Sequence, residues 1–598
     1  MELKSSKKIF NNYKCDYPEN TISRVIDGFN KLGINPIYNQ IEIESKGFSN
    51  YFGELLIEEL GFLTCGKGYS CNLAKASAYA EMAERISSGF FVFNTITDKI
   101  EEYSKLLEGL TERKFLRGYL QTDDSNLINI DNVNKYLEKK ISNKEFQILK
   151  DQRLFNVFVD AYSFSSEEYV KIPIRFIEVI TGSSGLAAGN TIEEALVQGI
   201  CEIFERYSTY KILSEKIECP TISIESIHDE KVHTYIELYK SMNIEVIIKD
   251  FSLNKDLPVI GVVFINHNLE NDENELKKDF YYKMIDVGSH PDINHAVLRC
   301  LIERLQSVTK EEFMYRKKCD MPYNFWIKEL KKQYIKTSEV FKDLFINYES
   351  CIDISFLEKG DEISLGDLTS INNTDCLDDV MALKDICDKN NWDLQVIDYT
   401  HKVLEFPTLR VIIPSVSTAY DQFILNALKI EDFKKRVDRL YGIDDFYKYA
   451  VEDDWINNND EIKTLVNNIE RALSKNPLAY RFYIRQGHFL YLLNLFQILA
   501  FSNFSLGNYE EALKYFDFLL KLNDKPAHFT TRLNELFNPG YNPSLFSDYK
   551  EQISRGLEHN EPPTFIFQSN PFKPKIVVKE LEEFFNNFLI NLNKSYFA

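Results

Sequence analysis

Ser184-Gly185-Leu186-Ala187-Ala188-Gly189-Asn190-Thr191-Ile192-Glu193-Glu194-Ala195-Leu196-Val197-Gln198-Gly199-Ile200-Cys201-Glu202-Ile203-Phe204-Glu205-Arg206 reads as a glycine-bracketed turn running into an apolar helix. A helix turns about 100° per residue. With Glu194 at zero, Gln198 falls near ~40°, Glu202 near ~80° and Glu205 near ~20°, so four polar groups share one stripe. Glutamates usually face water. Here the stripe holds no lysine between Ala187 and Arg206, and Val197 and Cys201 lie in or beside it. The string Glu202-Ile203-Phe204-Glu205-Arg206 has a twin, Glu81-Met82-Ala83-Glu84-Arg85. Ser77, Glu81 and Glu84 fall within about 60° of one another by the same arithmetic.

Clustered carboxylates in apolar surroundings repel one another and lose hydration. Cations resolve that conflict, and magnesium, which takes oxygen ligands, commonly bridges carboxylates to phosphates. Two readings stay open on the residues alone: a metal–phosphate site, or a structural or solvated helix face. Thr191-Ile192-Glu193-Glu194 also fits a capping box, in which Glu194 would only cap its helix. Arg299 and Glu303, four apart, share a helical face and could be a simple intrahelical ion pair. The segment Asp286-Val287-Gly288-Ser289-His290-Pro291-Asp292 leads into them.

The 598 residues suggest two or three large domains, and the 44% apolar content suits a globular core. A net charge of −21 disfavours binding nucleic acid directly, which depends on Lys and Arg neutralising phosphates. Met1-Glu2-Leu3-Lys4-Ser5 has no apolar run behind it, so no secretory signal is expected. The run 489–501 contains Asn494 and Gln497 and is too short for a bilayer, so it reads as a core helix. Ten cysteines without a C-x-x-C pair argue against a zinc site or disulfide framework and for a reducing, cytoplasmic setting.

Outward from the opening stretch, the pattern predicts an α+β domain, with internally duplicated sheet/helix units, over 1–416. Helices are expected over 21–31 (ended by Gly33), 72–91 and 191–213. Strands are expected over 37–43, 51–57, 62–65, 175–181, 245–249, 259–265, 394–398 and 409–413. From 417 to 598 helical periodicity takes over. Leu506-Gly507-Asn508-Tyr509-Glu510-Glu511-Ala512-Leu513 resembles a tetratricopeptide repeat, with an ordinary helical hairpin as the alternative. Gly61-Phe62-Leu63-Thr64-Cys65-Gly66-Lys67-Gly68 falls short of a P-loop because Gly68 stands where a magnesium-binding hydroxyl belongs. Lys67 in a glycine-flanked turn could still reach a phosphate. His290 and His295 read as structural. No residue presents itself as a catalytic nucleophile or base.

Taken together, Gly66-Lys67-Gly68 with Ser77-x-x-x-Glu81-x-x-Glu84-Arg85, the opening stretch, Gly288-x-His290-Pro291, Arg299-x-x-x-Glu303, Asp398-Tyr399-Thr400 and Val411-Ile412-Ile413-Pro414 resemble the YcaO family over 1–416. The resemblance implies ATP and Mg2+ as cofactors, bound without a P-loop, and activation of amide carbonyls by phosphorylation. By motif position it implies that Glu81, Glu84, Glu202, Glu205 and Glu303 hold magnesium. Lys67, Ser77, Asn190, Glu194, Gln198 and Arg299 would contact ATP. The chain is most similar to stand-alone members with a helical C-terminal domain. That implies an accessory factor for β-methylthiolation of an aspartate in ribosomal protein twelve of the small subunit. Its partners would be that ribosomal protein, a separate radical S-adenosylmethionine methylthiotransferase, and a second copy of the chain in a homodimer. A peptide cyclodehydratase and a non-catalytic nucleotide-binding scaffold are the alternatives. The C-terminus lacks the proline-rich tail of azoline-forming members, which counts against the first of these.

Overall fold

A computed structural model of the chain describes, short gaps apart, residues 1–88, 120–121, 129–270, 282–304, 354–417, 458–475 and 495–515. Helix α1 (Pro18–Leu32) starts on a proline and ends at Gly33, whose φ of 71° is left-handed. A three-stranded antiparallel meander follows: β1 (Ile37–Ser45), β2 (Phe48–Ile57) and β3 (Phe62–Gly68). Helix α2 (Cys71–Ser88) packs back across it.

Gly66-Lys67-Gly68 is the end of β3, not the turn expected of it. The reason is steric. A Cβ on Gly66 would stand 2.0 Å from the Ala74 carbonyl oxygen, and one on Gly68 2.6 Å from Leu73 Cβ. Both glycines therefore let α2 lie against the strand. Side chains alternate along a strand, so Lys67 is turned to the opposite face.

A six-stranded sheet is built from β4 (Leu120–Gln121), β5 (Val157–Ser163), β6 (Glu168–Pro173), β7 (Leu186–Ala188), β13 (Gln395–Asp398) and β14 (Thr408–Ile412). The strand expected over 175–181 is instead helix α3 (Ile174–Thr181). Its β-branched residues favour a strand, but Ile174, Ile177 and Ile180 recur every third position and are all buried. That spacing is helical. The Gly182–Gly185 turn then feeds β7 and the 24-residue helix α4 (Ile192–Glu215).

A five-stranded sheet runs β11-β10-β9-β8-β12 and comprises β8 (Thr221–Ile222), β9 (Ile244–Asp250), β10 (Val259–Asn266), β11 (Lys283–Ser289) and β12 (Glu362–Ile363). Helices α5 (Glu230–Ser241) and α6 (Ile293–Glu303) cover one face of it. Helix α4 packs between the two larger sheets, touching β7 and β14 on one side and β10 and β11 on the other, with α7 (Cys376–Lys389) alongside. Helix α2 also reaches β7 and β14, which brings the two E-x-x-E-R helices together.

Of the C-terminal third, the described part is helical. Helix α8 (Asn459–Lys475) packs on α9 (Leu495–Ser505). Gly507, at φ 76°, turns the chain into a further helical run containing the fully buried Ala512. Both a tetratricopeptide-like repeat and an ordinary helical hairpin accommodate a helix, a turn at Gly507 and a second helical run. The first part of the run 489–501 and most of 417–598 lie outside the described residues. Among the described residues no helix is long and apolar enough to cross a membrane.

Candidate nucleotide and metal site

The site is built along α4. The Thr191 hydroxyl accepts the Glu194 N–H at 3.1 Å and so caps the helix. The Glu194 carboxylate does not complete a capping box; it is used elsewhere. It accepts from Lys14 Nζ at 3.1 Å, from the Cys15 N–H at 2.8 Å and from the Asn190 amide at 3.2 Å. Burial would raise this carboxyl, but Lys14, the Cys15 N–H and Asn190 together hold it below its ordinary value. Asn190 is itself held, its Oδ1 accepting from the Thr21 hydroxyl at 2.8 Å and its carbonyl from Arg24 at 3.1 Å.

From Glu194 to Glu205 the stripe runs about 16 Å along the helix axis. At its far end Glu202 accepts the Gly185 N–H at 3.0 Å, and Glu205 accepts the Ser289 N–H at 3.2 Å. Gly185 sits at φ 80°, and a Cβ there would stand 2.2 Å from the Val411 carbonyl oxygen, so only glycine presents this N–H. From α2, Arg85 lies 3.3 Å from Glu81 and 3.1 Å from Glu84. Burial pushes the Glu84 carboxyl up to about 8; Arg85 opposes this, while Glu81 and Glu202 add to it. Glu202 is likewise raised, by burial and by Glu205, against the pull of Arg206 and Arg85.

The third element also arrives. Arg299 Nη2 lies 3.8 Å from Glu205 Oε2, and Lys67 is ion-paired with Glu303. The pairs thus run between β3, α4 and α6 rather than along α6, as the simple intrahelical reading would have it. Burial, followed by the charge of Arg299, lowers the Lys67 ammonium to about 8. Ser77 is exposed on α2 and Gln198 half-buried on α4, and neither side chain makes a hydrogen bond among the described residues. Among the described residues no three His, Cys, Asp or Glu side chains converge at metal-ligand spacing. The carboxylates are instead interleaved with cations and backbone N–H groups.

Several site residues were not singled out from the sequence. Lys14 belongs to an N-terminal segment that gives no pattern of its own. Tyr13 packs on His295 in a tilted arrangement with ring centroids 4.2 Å apart, and the His295 ring lies 4.4 Å from that of His290. Burial and then neighbouring charge drive both imidazoles below their ordinary value, His295 to about 3. Arg410 is 1% exposed in the otherwise apolar β14. It donates to Thr181 Oγ1 at 2.8 Å and to the Gly182 carbonyl at 3.0 Å, while its Nε has no partner among the described residues. A charged residue within Leu409-Arg410-Val411-Ile412-Ile413 was a signal available in the sequence.

Asp286 is the other addition, ion-paired to Arg304. Burial raises its carboxyl to about 6 despite the Arg304 guanidinium. A folded value above the unfolded one means a contribution to stability that is complete below about pH 4 and is lost as pH rises through 6. In Asp286→Asn that pH dependence, about 2 kcal/mol between pH 4 and 7.5, disappears. Chemical denaturation of both proteins at the two pH values checks this; an identical pH slope would rule it out.

A family model described as YcaO cyclodehydratase, ATP- and Mg2+-binding, matches residues 65–417. The chain is 25% identical over 390 residues to the ribosomal protein S12 methylthiotransferase accessory factor YcaO of Escherichia coli. It is 27% identical over 365 residues to an uncharacterized protein of Haemophilus influenzae. These matches span 60% and 59% of this chain, and only 58% and 57% of the two relatives. Solved structures similar to it include YcaO from Methanopyrus kandleri bound with AMPPCP and Mg2+ (TM-score 0.43, 16% identity, 71% of this chain and 96% of that one). Another is a heterocyclase in complex with substrate and cofactor (TM-score 0.47, 14% identity, 70% of this chain and 54% of that one). The family model covers more than half of the 598 residues and takes in every carboxylate of the interleaved site; the chain belongs to the YcaO family, whose members bind ATP and Mg2+.

Proposed function

We propose that the α4 stripe is where this chain binds Mg-ATP. Glu81, Glu84, Glu202, Glu205 and Glu303 are the magnesium ligands, and Lys67, Ser77, Asn190, Glu194, Gln198 and Arg299 the nucleotide contacts. The observation that carries this reading is the raised pair Glu84 and Glu202. They are half-buried carboxylates whose mutual repulsion nearby arginines offset only in part. Hard oxygen donors left in that state fit a divalent cation. The cations beside them fit phosphates, and the buried Arg410 Nε is a further donor without a partner among the described residues. When bound, magnesium supplies charge neutralisation to the phosphates. The chain's own part is positioning. The N–H groups of Gly185 and Ser289 fix Glu202 and Glu205, while Lys67 and Arg299, now paired with Glu303 and Glu205, are placed to turn to an incoming anion.

The biological role we infer is that of an accessory factor for β-methylthiolation of an aspartate in ribosomal protein S12, with the helical C-terminal region contacting the partner methylthiotransferase. Support comes from the name of the Escherichia coli relative. A second reading, ATP-dependent activation of a peptide backbone amide, is favoured by the description of the matching family model as a cyclodehydratase. Intact-mass measurement of S12 from a strain lacking the gene separates them. Loss of the methylthio mass, restored by the gene, is the expected result. An unchanged mass, in an organism that normally carries the modification, ends the accessory reading and turns attention to a peptide product lighter by one water.

A further inference from the structure

Residues 4–11 and 13–15 lie as a strap over the N-terminal end of α4 and the start of α7. Both ends of the strap are held by adjacent carboxylates of the first turn of α4. Glu193 accepts from the Lys4 N–H at 2.7 Å and from the Ser6 hydroxyl at 2.7 Å. Glu194 accepts from Lys14 and the Cys15 N–H at the other end. Between them the strap is tied to the α7 end of the molecule. The Ser6 N–H donates to Asp375 at 2.8 Å, the Cys376 N–H donates to the Ser6 carbonyl at 2.8 Å, and Lys8 reaches the buried Asp379 at 2.5 Å. This arrangement sets the half-buried Cys15 against Cys376, the first residue of α7, with their sulfurs 3.3 Å apart.

We propose that Cys15 and Cys376 are a reversible redox pair whose disulfide staples the strap, and with it Lys14, onto the Glu194 end of the α4 stripe. A disulfide needs its sulfurs at about 2.05 Å, so they must approach by about 1.2 Å, a shift within reach of side-chain rotation. The oxidant is a hydroperoxide. Cys15 is the more accessible sulfur; its thiolate attacks the peroxide oxygen, the O–O bond breaks, and the leaving oxygen departs as water or alcohol after taking up a proton. The resulting sulfenic acid is attacked by the Cys376 sulfur, which loses its proton as the S–S bond forms and a second water leaves. The two thiols lose two electrons, which the peroxide accepts. A dithiol reverses the step by exchange.

The consequence follows from the neighbour relation of Cys15 and Lys14. While the bond stands, the strap cannot lift from Glu194, and nucleotide entry and exit at that end are slowed. The bond itself is independent of the function proposed above; its effect on exchange rests on that reading.

Treatment of the purified full-length protein with hydrogen peroxide, followed by digestion without reductant, reads the bond directly. The expected product is a Cys15 peptide joined to a Cys376 peptide, lighter than the sum by two hydrogens and separated by dithiothreitol. The strap then resists trypsin at Lys7, Lys8 and Lys14. Release of a fluorescent ATP analogue in the presence of Mg2+, followed by stopped flow, slows at least about threefold on oxidation in the native chain and is unaffected by oxidation in Cys376→Ser, by analogy with linked binding and ordering. Absence of the linked peptide, or its formation with an unchanged release rate, overturns the proposal. A protein that binds no nucleotide but forms the linked peptide and protects the strap would instead count against the nucleotide reading.

Discussion

Replacing Glu202 by alanine is expected to weaken Mg2+-dependent ATP binding at least about 100-fold, ~2.7 kcal/mol, while leaving the fold as stable as before. The two halves have one cause. Glu202 lies half-buried beside Glu205 and within the field of Glu84, and its carboxyl is raised above its ordinary value. Without a cation it is a source of repulsion, so its removal relieves strain. The cost is one orphaned N–H at Gly185, whose bond to Glu202 is 3.0 Å long, together with the lost attraction of Arg206 and Arg85. That is worth about 1–3 kcal/mol, comparable to what the lost repulsion returns. A structural glutamate would behave in the opposite way, with stability falling and binding following it. Titration calorimetry with Mg-ATP, paired with chemical denaturation, separates the cases. Affinity retained within about threefold would remove Glu202 from the site.

Gly66→Ala is expected to cost about 1–3 kcal/mol or more of folding free energy and to weaken Mg-ATP binding with it. The added Cβ would lie 2.0 Å from the Ala74 carbonyl oxygen and 2.3 Å from the Ala78 nitrogen. Both are backbone atoms of α2, so no side chain can rotate out of the way and the whole helix must move from β3. That helix carries Glu81, Glu84 and Arg85, while the strand carries Lys67, so the shift separates the two sets. Gly33→Ala provides the comparison. Its φ of 71° strains any other residue, but nothing lies within 4 Å, so only a loss of about 1 kcal/mol is expected, without effect on binding. Denaturation midpoints and ATP affinities of the two variants check this. A Gly66→Ala protein as stable as the native chain would show that α2 does not rest on β3 as described.

The legible part of the site was the part written as a local pattern. Glu194, Gln198, Glu202 and Glu205 lie on one helix, and a period of 3.6 residues places them together without knowledge of anything else. The positions of β1, β2, β9 and β10 were visible because each is a short run rich in β-branched and apolar residues. Where the local signals conflicted, the sequence reading failed. Residues 174–181 are rich in β-branched side chains yet fold as α3, because burial of Ile174, Ile177 and Ile180 on one face outweighs a weak intrinsic preference.

What the sequence by itself determined is the chemistry: a mixed helix and sheet chain, a helix bearing oxygen donors, and a family whose members bind ATP and Mg2+. These follow from residue types and short spacings, which operate within a single element. What only the tertiary structure decided is who faces whom. Lys67 meets Glu303, Arg299 meets Glu205, Lys14 meets Glu194 and Cys15 meets Cys376, across separations of up to 361 residues. No periodicity encodes such pairs. They arise because glycines at 66 and 185 permit close approach and because burying the apolar faces of α2 and α4 against β7 and β14 leaves their polar stripes only one place to go.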